Sequence, residues 1–94
     1  MDIARSDIVK ASAGRDKGKL LFVLDVEGDF LLLADGKSRK LERPKRKKRK
    51  HAVFQAHCDC RAAEKIRSGE KVTNSELRRT LAQFGGDGNP DQEG

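Results

Sequence analysis

The chain contains no tryptophan and no tyrosine, and only four phenylalanines. A protein that holds single-stranded nucleic acid on a row of stacked rings needs more aromatic surface than that. Phe22, Phe30, Phe54 and Phe84 all fall in apolar strand or helix patterns, so core packing is the expected role of each. Long hydrophobic runs are missing too. The two longest, residues 20–24 and 30–34, are five residues each, about a quarter of what a helix needs to cross a bilayer. The first residues, MDIARSDIVK, hold no apolar signal core. The two cysteines, Cys58 and Cys60, are one residue apart. A disulfide over so short a span is expected to be strained, which argues against a disulfide-stapled secreted domain. These absences together predict a soluble, cytoplasmic protein with no membrane partner.

What is present is charge, and its placement is uneven. The 94 residues carry 21 lysines and arginines against 15 aspartates and glutamates, a formal net charge of +6. Residues 1–42 hold eight bases and eight acids; residues 51–94 hold six bases and seven acids. Residues 43–50, RPKRKKRK, hold seven bases and no acid, so the whole excess sits in eight positions. A concentrated patch of one sign predicts a polyanionic partner more strongly than diffuse basicity does. A chain of this length has room for one small domain, or a domain with an appendage.

Alternation organises the first half. Residues 6–13 read as a short strand, with Ile8 and Lys10 on one face and Asp7 and Val9 on the other. A glycine-bearing turn, GRDKG at 14–18, precedes the strand KLLFVLDV, whose Leu20, Phe22, Leu24 and Val26 are expected on one face. EGD reads as a three-residue hairpin loop, FLLLA as a strand, and Asp35–Gly36 as a two-residue hairpin turn leading into a polar strand, KSRKL. AVFQA after the basic run supplies a last strand. Segments this close leave no room for helical crossovers, so the sheet is expected to be antiparallel. A closed barrel would remove its edges and its exposed apolar face. The pattern turns helical after Ala56. CRAAEKIRS has Asp59 as its expected cap and Gly69 as its stop, and TNSELRRTLAQFGG opens with a Thr73-x-x-Glu76 capping box and ends at Gly85 and Gly86. Ile66, Leu77, Leu81 and Phe84 are the expected contacts of these helices with the barrel. DGNPDQEG reads as a disordered tail.

The stretch from DIVKASAGRDKGKLLFVLDV to LERPK resembles a KOW motif, a strand, glycine-bearing loop and strand within an SH3-like barrel. Gly18 looks like the motif glycine. RPKRKKRKH and GEKVTNSELRRTLAQF extend the likeness over roughly residues 5–85, to small bacterial KOW-containing RNA-binding proteins akin to large-subunit ribosomal proteins of the eukaryotic and archaeal type. The pattern's frequent second glycine is replaced here by Leu20–Leu21–Phe22. The resemblance implies a mainly β protein: an SH3-like barrel over residues 1–57 with the basic segment 43–50 inside it, a two-helix appendage over 58–86, and a tail at 87–94. It also implies a role in translation, binding ribosomal RNA or another structured RNA, with the ribosome or its proteins as further partners.

The residues expected to meet RNA are Arg43, Lys45, Arg46, Lys47, Lys48, Arg49 and Lys50, with His51 extending the run. Lys37, Arg39 and Lys40 join them from the preceding strand, and Arg15, Lys17, Gly18 and Lys19 from the glycine loop. Cations neutralise phosphates and release counterions, and Pro44 favours an extended entry. The run also has plainer readings, as a solvated linker or, on composition alone, a nuclear-import signal. In the glycine loop, Asp16 offers its neighbours an internal ion pair instead. With no aromatic in the run, contact with phosphates rather than bases is expected. His51, His57, Cys58 and Cys60 are ligand-type residues, but C-x-C replaces the usual C-x2-C and a strand separates the histidines. The cysteines are therefore expected to be ordinary thiols, and no metal or other cofactor is expected. No nucleophile has a partnered base at a recognisable spacing, so no enzyme is expected. A monomer is expected, and the rival reading is a module that docks a protein of the transcription or translation machinery. Duplex DNA is a third candidate, because phosphate contacts barely distinguish it.

Overall fold

A computed structural model describes residues 3–84. Five strands form one antiparallel sheet: β1 (Asp7–Ala11), β2 (Leu20–Glu27), β3 (Phe30–Ala34), β4 (Lys45–Lys48) and β5 (Ala52–His57), in the spatial order β4-β3-β2-β1-β5. Two helices follow, α1 (Arg61–Ser68) and α2 (Asn74–Gln83). The chain is thus mainly β with C-terminal helices, as its pattern predicts. β4 and β5 are the edges of the sheet, and a single 3-10 turn, Arg49–His51, joins them. No helix among the described residues is long and apolar enough to cross a membrane.

Both faces of β2 are apolar because both are covered. Ile8, Leu20, Phe22 and Ala34 lie in one cluster with Ala62, Ala63 and Ile66 of α1 and Leu77 and Leu81 of α2. Val9, Ala11, Leu21, Val23, Leu31 and Leu33 form a second cluster on the opposite face. The expected grouping of Val26 with Phe22 is wrong. The β2–β3 register shifts between Val23 and Asp25, so Leu24 becomes an extra residue in the ladder. Beyond it the side-chain parity inverts. Val26 joins the second cluster, opposite Leu31, and Leu24 is only half-buried against the first. A matching shift between Ile8 and Val9 leaves Gln55 of β5 unpaired in the same way.

Two turns also differ from expectation. The β2–β3 connection holds two residues, with Glu27 opposite Phe30 and Gly28 at φ 60°. The polar strand expected at 37–41 does not form. The Asp35 carboxylate accepts from the Lys37 and Arg39 amides, both at 2.8 Å, and from the Ser38 hydroxyl at 3.1 Å, while the Asp35 and Gly36 amides donate to the Arg39 carbonyl. Local bonds consume the groups a ladder would need. The strand appears later, as β4, made from the basic run itself.

Helix α1 begins from Cys60 rather than Asp59 and stops at Gly69, which is left-handed at φ 80°. Helix α2 has the expected capping box: the Glu76 amide donates to Thr73 Oγ1 at 3.2 Å, and the Thr73 amide to Glu76 Oε1 at 2.9 Å. Lys65 bridges α1 to Glu76 of α2 at 2.7 Å. Phe84 does not pack with Leu77 and Leu81. The helix ends at Gln83, Phe84 leaves the helical path as the C-cap, and the residue is 42% exposed. The stop expected at Gly85 and Gly86 and the tail at 87–94 lie outside the described residues.

Candidate nucleic-acid interface

Two basic loops, separate in sequence, meet at one end of the sheet, and a basic strand leads from them toward the other end, where Lys48 stands opposite Phe30. The 14–19 loop carries Arg15, Lys17 and Lys19, the 35–43 loop carries Lys37, Arg39, Lys40 and Arg43, and β4 with its following turn carries the rest. Asp16 draws the first two together. It is 3% exposed, receives Arg39 Nη2 at 3.0 Å, and has Lys19 Nζ at 3.8 Å. Lys19 also donates to the Ser38 hydroxyl at 3.1 Å. Burial pushes the Asp16 carboxyl up. The Arg39 hydrogen bond and the charges of Arg39, Lys19 and Lys47 outweigh that and hold it below the usual carboxylate range.

Several predicted contacts are therefore already committed within the protein. Arg39 and Lys19 serve Asp16, so the internal ion pair is the better account of that part of the glycine loop. The Gly18 amide donates to the Ala11 carbonyl at 2.8 Å and is not offered to a phosphate. Gly18 stands at φ 89°, which is reason enough for a glycine in this turn. Lys47 is the clearest correction within the run. Alternation along β4 turns it inward beside the second cluster; it is 8% exposed, and its ammonium donates to the Ala13 carbonyl at 3.0 Å. It ties the basic strand to the glycine loop. His51 is half-buried, and its carbonyl accepts from the Ser12 amide at 2.9 Å.

The exposed cations are Arg15, Lys17, Lys37, Lys40, Arg43, Arg46, Lys48 and Lys50, with Lys45 and Arg49 half-buried. A cleft of about 470 Å³ runs between the 35–40 loop and α2. Lys37, Lys40 and Arg78 rim it over a floor of Leu20 and Leu81. Arg78 is a participant that sequence reasoning missed. It donates to the Gly36 carbonyl at 2.6 Å and to the Ser75 hydroxyl at 3.0 Å, which fixes a positive group at the cleft. Nothing local to a surface helix residue announces that role.

A second surprise concerns Phe30. The ladder sets it opposite Lys48, half-exposed, with the Arg46 guanidinium carbon 3.9 Å from the ring centroid. The basic run therefore does have an aromatic partner, supplied by the neighbouring strand.

The ligand-type residues at the sheet–helix junction are engaged with one another. His57 Nδ1 lies 2.9 Å from the buried Asp7 carboxylate, and its Nε2 lies 3.6 Å from Asp59. Cys58 and Cys60 are joined as a disulfide, not left as thiols. Their Cα atoms stand 5.4 Å apart where the chain turns from β5 into α1, inside the range that a bridge requires. Among the described residues no group of three or more histidine, cysteine, aspartate or glutamate side chains is arranged to hold a metal ion. In comparisons with known proteins, no family model matches the chain and no curated protein is significantly similar to it.

Proposed function

We propose that this protein binds structured RNA through backbone phosphates, with a KOW-type, SH3-like barrel as the scaffold. The observation that carries the reading is the linkage of the three basic segments to one another. The 14–19 loop, the 35–43 loop and β4 are joined by the Asp16–Arg39 and Lys47–Ala13 contacts. Acid on this surface is muted: Asp16 and Asp35 are buried beneath it, and Glu42 is engaged by the Asn74 amide at 3.0 Å. What faces outward is mainly cationic, which suits phosphates.

Two features support the barrel. Val9, Leu21, Val23, Leu31 and Leu33 are fully buried on the face away from the helices, so the sheet must supply its own cover by curling. The Arg49 amide donates to the Asp29 carbonyl at 2.8 Å, and the Ser12 amide to the His51 carbonyl at 2.9 Å. Three residues span at most about 10 Å, so the β2–β3 turn and the end of β1 are drawn close, as in a sheet rolled on itself.

Affinity measured by fluorescence anisotropy should fall steeply with salt. About five neutralised phosphates give a log–log slope of roughly −3.5 to −4.5. Changing Arg43, Lys48 and Lys50 together to Gln should weaken every RNA by a similar factor and flatten the slope by about 2–3 units. Unchanged affinity and slope in that variant would refute the phosphate grip. Co-purified protein that survives ribonuclease treatment would instead favour docking to a protein of the translation or transcription machinery.

A further inference from the structure

An aromatic ring in so basic a neighbourhood asks for an explanation that phosphate contacts do not provide. Phe30 is the first residue of β3, on the sheet face that the helices cover only further along, at Ala34. Here the face is bare, and Phe30 remains half-exposed. Alternation on β4 brings Arg46 and Lys48 to the same side. The Arg46 guanidinium lies on the ring at 3.9 Å, while its side chain is 57% exposed and its Nε donates to Glu27 at 3.3 Å. A planar cation held on a ring and open on its outer side is a stacking surface for a further planar group. Beside it lies a depression of about 570 Å³ lined by Asp29, Phe30, Lys48, Arg49 and Lys50, within the range of roughly 300–1,000 Å³ typical of small-molecule sites.

We infer that the Phe30–Arg46 stack and the adjoining depression hold one unpaired base of the bound RNA, and that the preferred base is guanine. The inference rests on the RNA-binding reading and adds a base contact to it. In an A-form duplex both faces of each internal base are already stacked and the major groove is too deep and narrow for side chains, so the base must come from a loop, bulge or end. The choice of guanine follows from the polar rim. The Asp29 carboxylate has no partner among the described residues and can only accept; guanine presents N1–H and the 2-amino group side by side on its Watson–Crick edge. Lys48 and Lys50 can only donate; guanine presents O6 and N7 on its other edge. Uracil lacks an amino group altogether. Adenine and cytosine each offer a single amino donor next to a ring acceptor, which faces the carboxylate unfavourably.

The test uses two hairpin RNAs of equal length, one fully paired and one with a single bulged guanosine, with the other three bulged nucleotides as a series. Wild type should bind the bulged guanosine RNA about tenfold more tightly than the paired one. Phe30→Leu should remove that advantage while leaving the paired RNA and its salt slope unchanged. Asp29→Asn should level guanine with adenine and keep the bulge advantage. Ultraviolet crosslinking of the wild-type complex, followed by mass mapping, should place the adduct on the peptide containing Phe30, a readout independent of how any variant folds. Binding of paired RNA with the expected slope but no bulge advantage would overturn base capture alone. An adduct mapped elsewhere would do the same. No binding of either RNA by wild type would overturn the RNA-binding reading, and this inference with it.

Discussion

Gly36 shows how a single residue fixes the position of a helix. It has φ 79°, and a Cβ added there would collide with the backbone carbonyl of Asn74 and crowd the Leu77 side chain. The left-handed conformation alone costs a larger residue about 1–3 kcal/mol. The collision cannot be relieved by a rotamer, because the obstacle is main chain. Gly36→Ala should therefore lower the thermal midpoint by more than conformational strain explains, and the Leu41 amide should shift in an NMR spectrum as α2 moves away. Asp16 is the second such position. Asp16→Asn removes the charge that orders Arg39 and Lys19 and should cost about 1–3 kcal/mol near neutral pH. Because folding lowers this carboxyl's pKa, its contribution is complete above the unfolded value of 3.8. That contribution is lost as pH falls through the lower, folded value. The stability difference between wild type and Asp16→Asn should thus be full at pH 7 and close in strong acid. A difference independent of pH would mean that the charge of Asp16 is not what stabilises the loop.

Among the elements, those set by local chemistry were legible in the sequence and those set by pairing were not. Four of the five predicted strand segments, the Thr73–Glu76 capping box and the Gly69 stop follow from alternation and capping alone. No strand forms at 37–41 because Asp35 satisfies its neighbours' amides, an outcome decided by one carboxylate. Val26 lies on the face opposite to the one its alternation predicts, because a one-residue bulge at Leu24 inverts parity without changing composition. The cationic segments were visible as charge, yet Lys47 points inward and Arg39 serves Asp16, both decided by contacts with remote segments. Phe30 could not be matched to the basic run without knowing that its partner is Lys48. Two substitutions test the elements directly. Thr73→Ala should cost about 1 kcal/mol, a fall of about 4–8 °C in Tm for a domain this size. Leu31→Ala, in the cluster no helix covers, should cost about 2–5 kcal/mol in a denaturant titration. A neutral result would mean that this face is not a packed interior.

Over the whole molecule, the basic surface depends on a helix that lies far along the chain. The 35–42 loop has one apolar anchor, Leu41, packed against the first cluster. Its Leu41 amide donates to Asn74 Oδ1 at 2.8 Å, its Gly36 carbonyl accepts from Arg78 at 2.6 Å, and Glu42 meets the Asn74 amide. Helix α2 is held to the sheet through Leu77 and Leu81, both buried in the first cluster. An opening that frees α2 therefore also releases the Gly36 and Leu41 positions of the loop that presents Lys37 and Lys40, leaving that loop held through Arg39 and Asp16. Amide hydrogen exchange reads this directly: the Leu41 amide should exchange with the same opening free energy and denaturant dependence as the amides of α2, and faster than those of β2. Exchange of Leu41 at the rate of β2 would mean that the loop stands without the helix. Linkage then runs in both directions. A polyanion clasped by Lys37 and Lys40 should slow exchange throughout α2, including amides that never come near it.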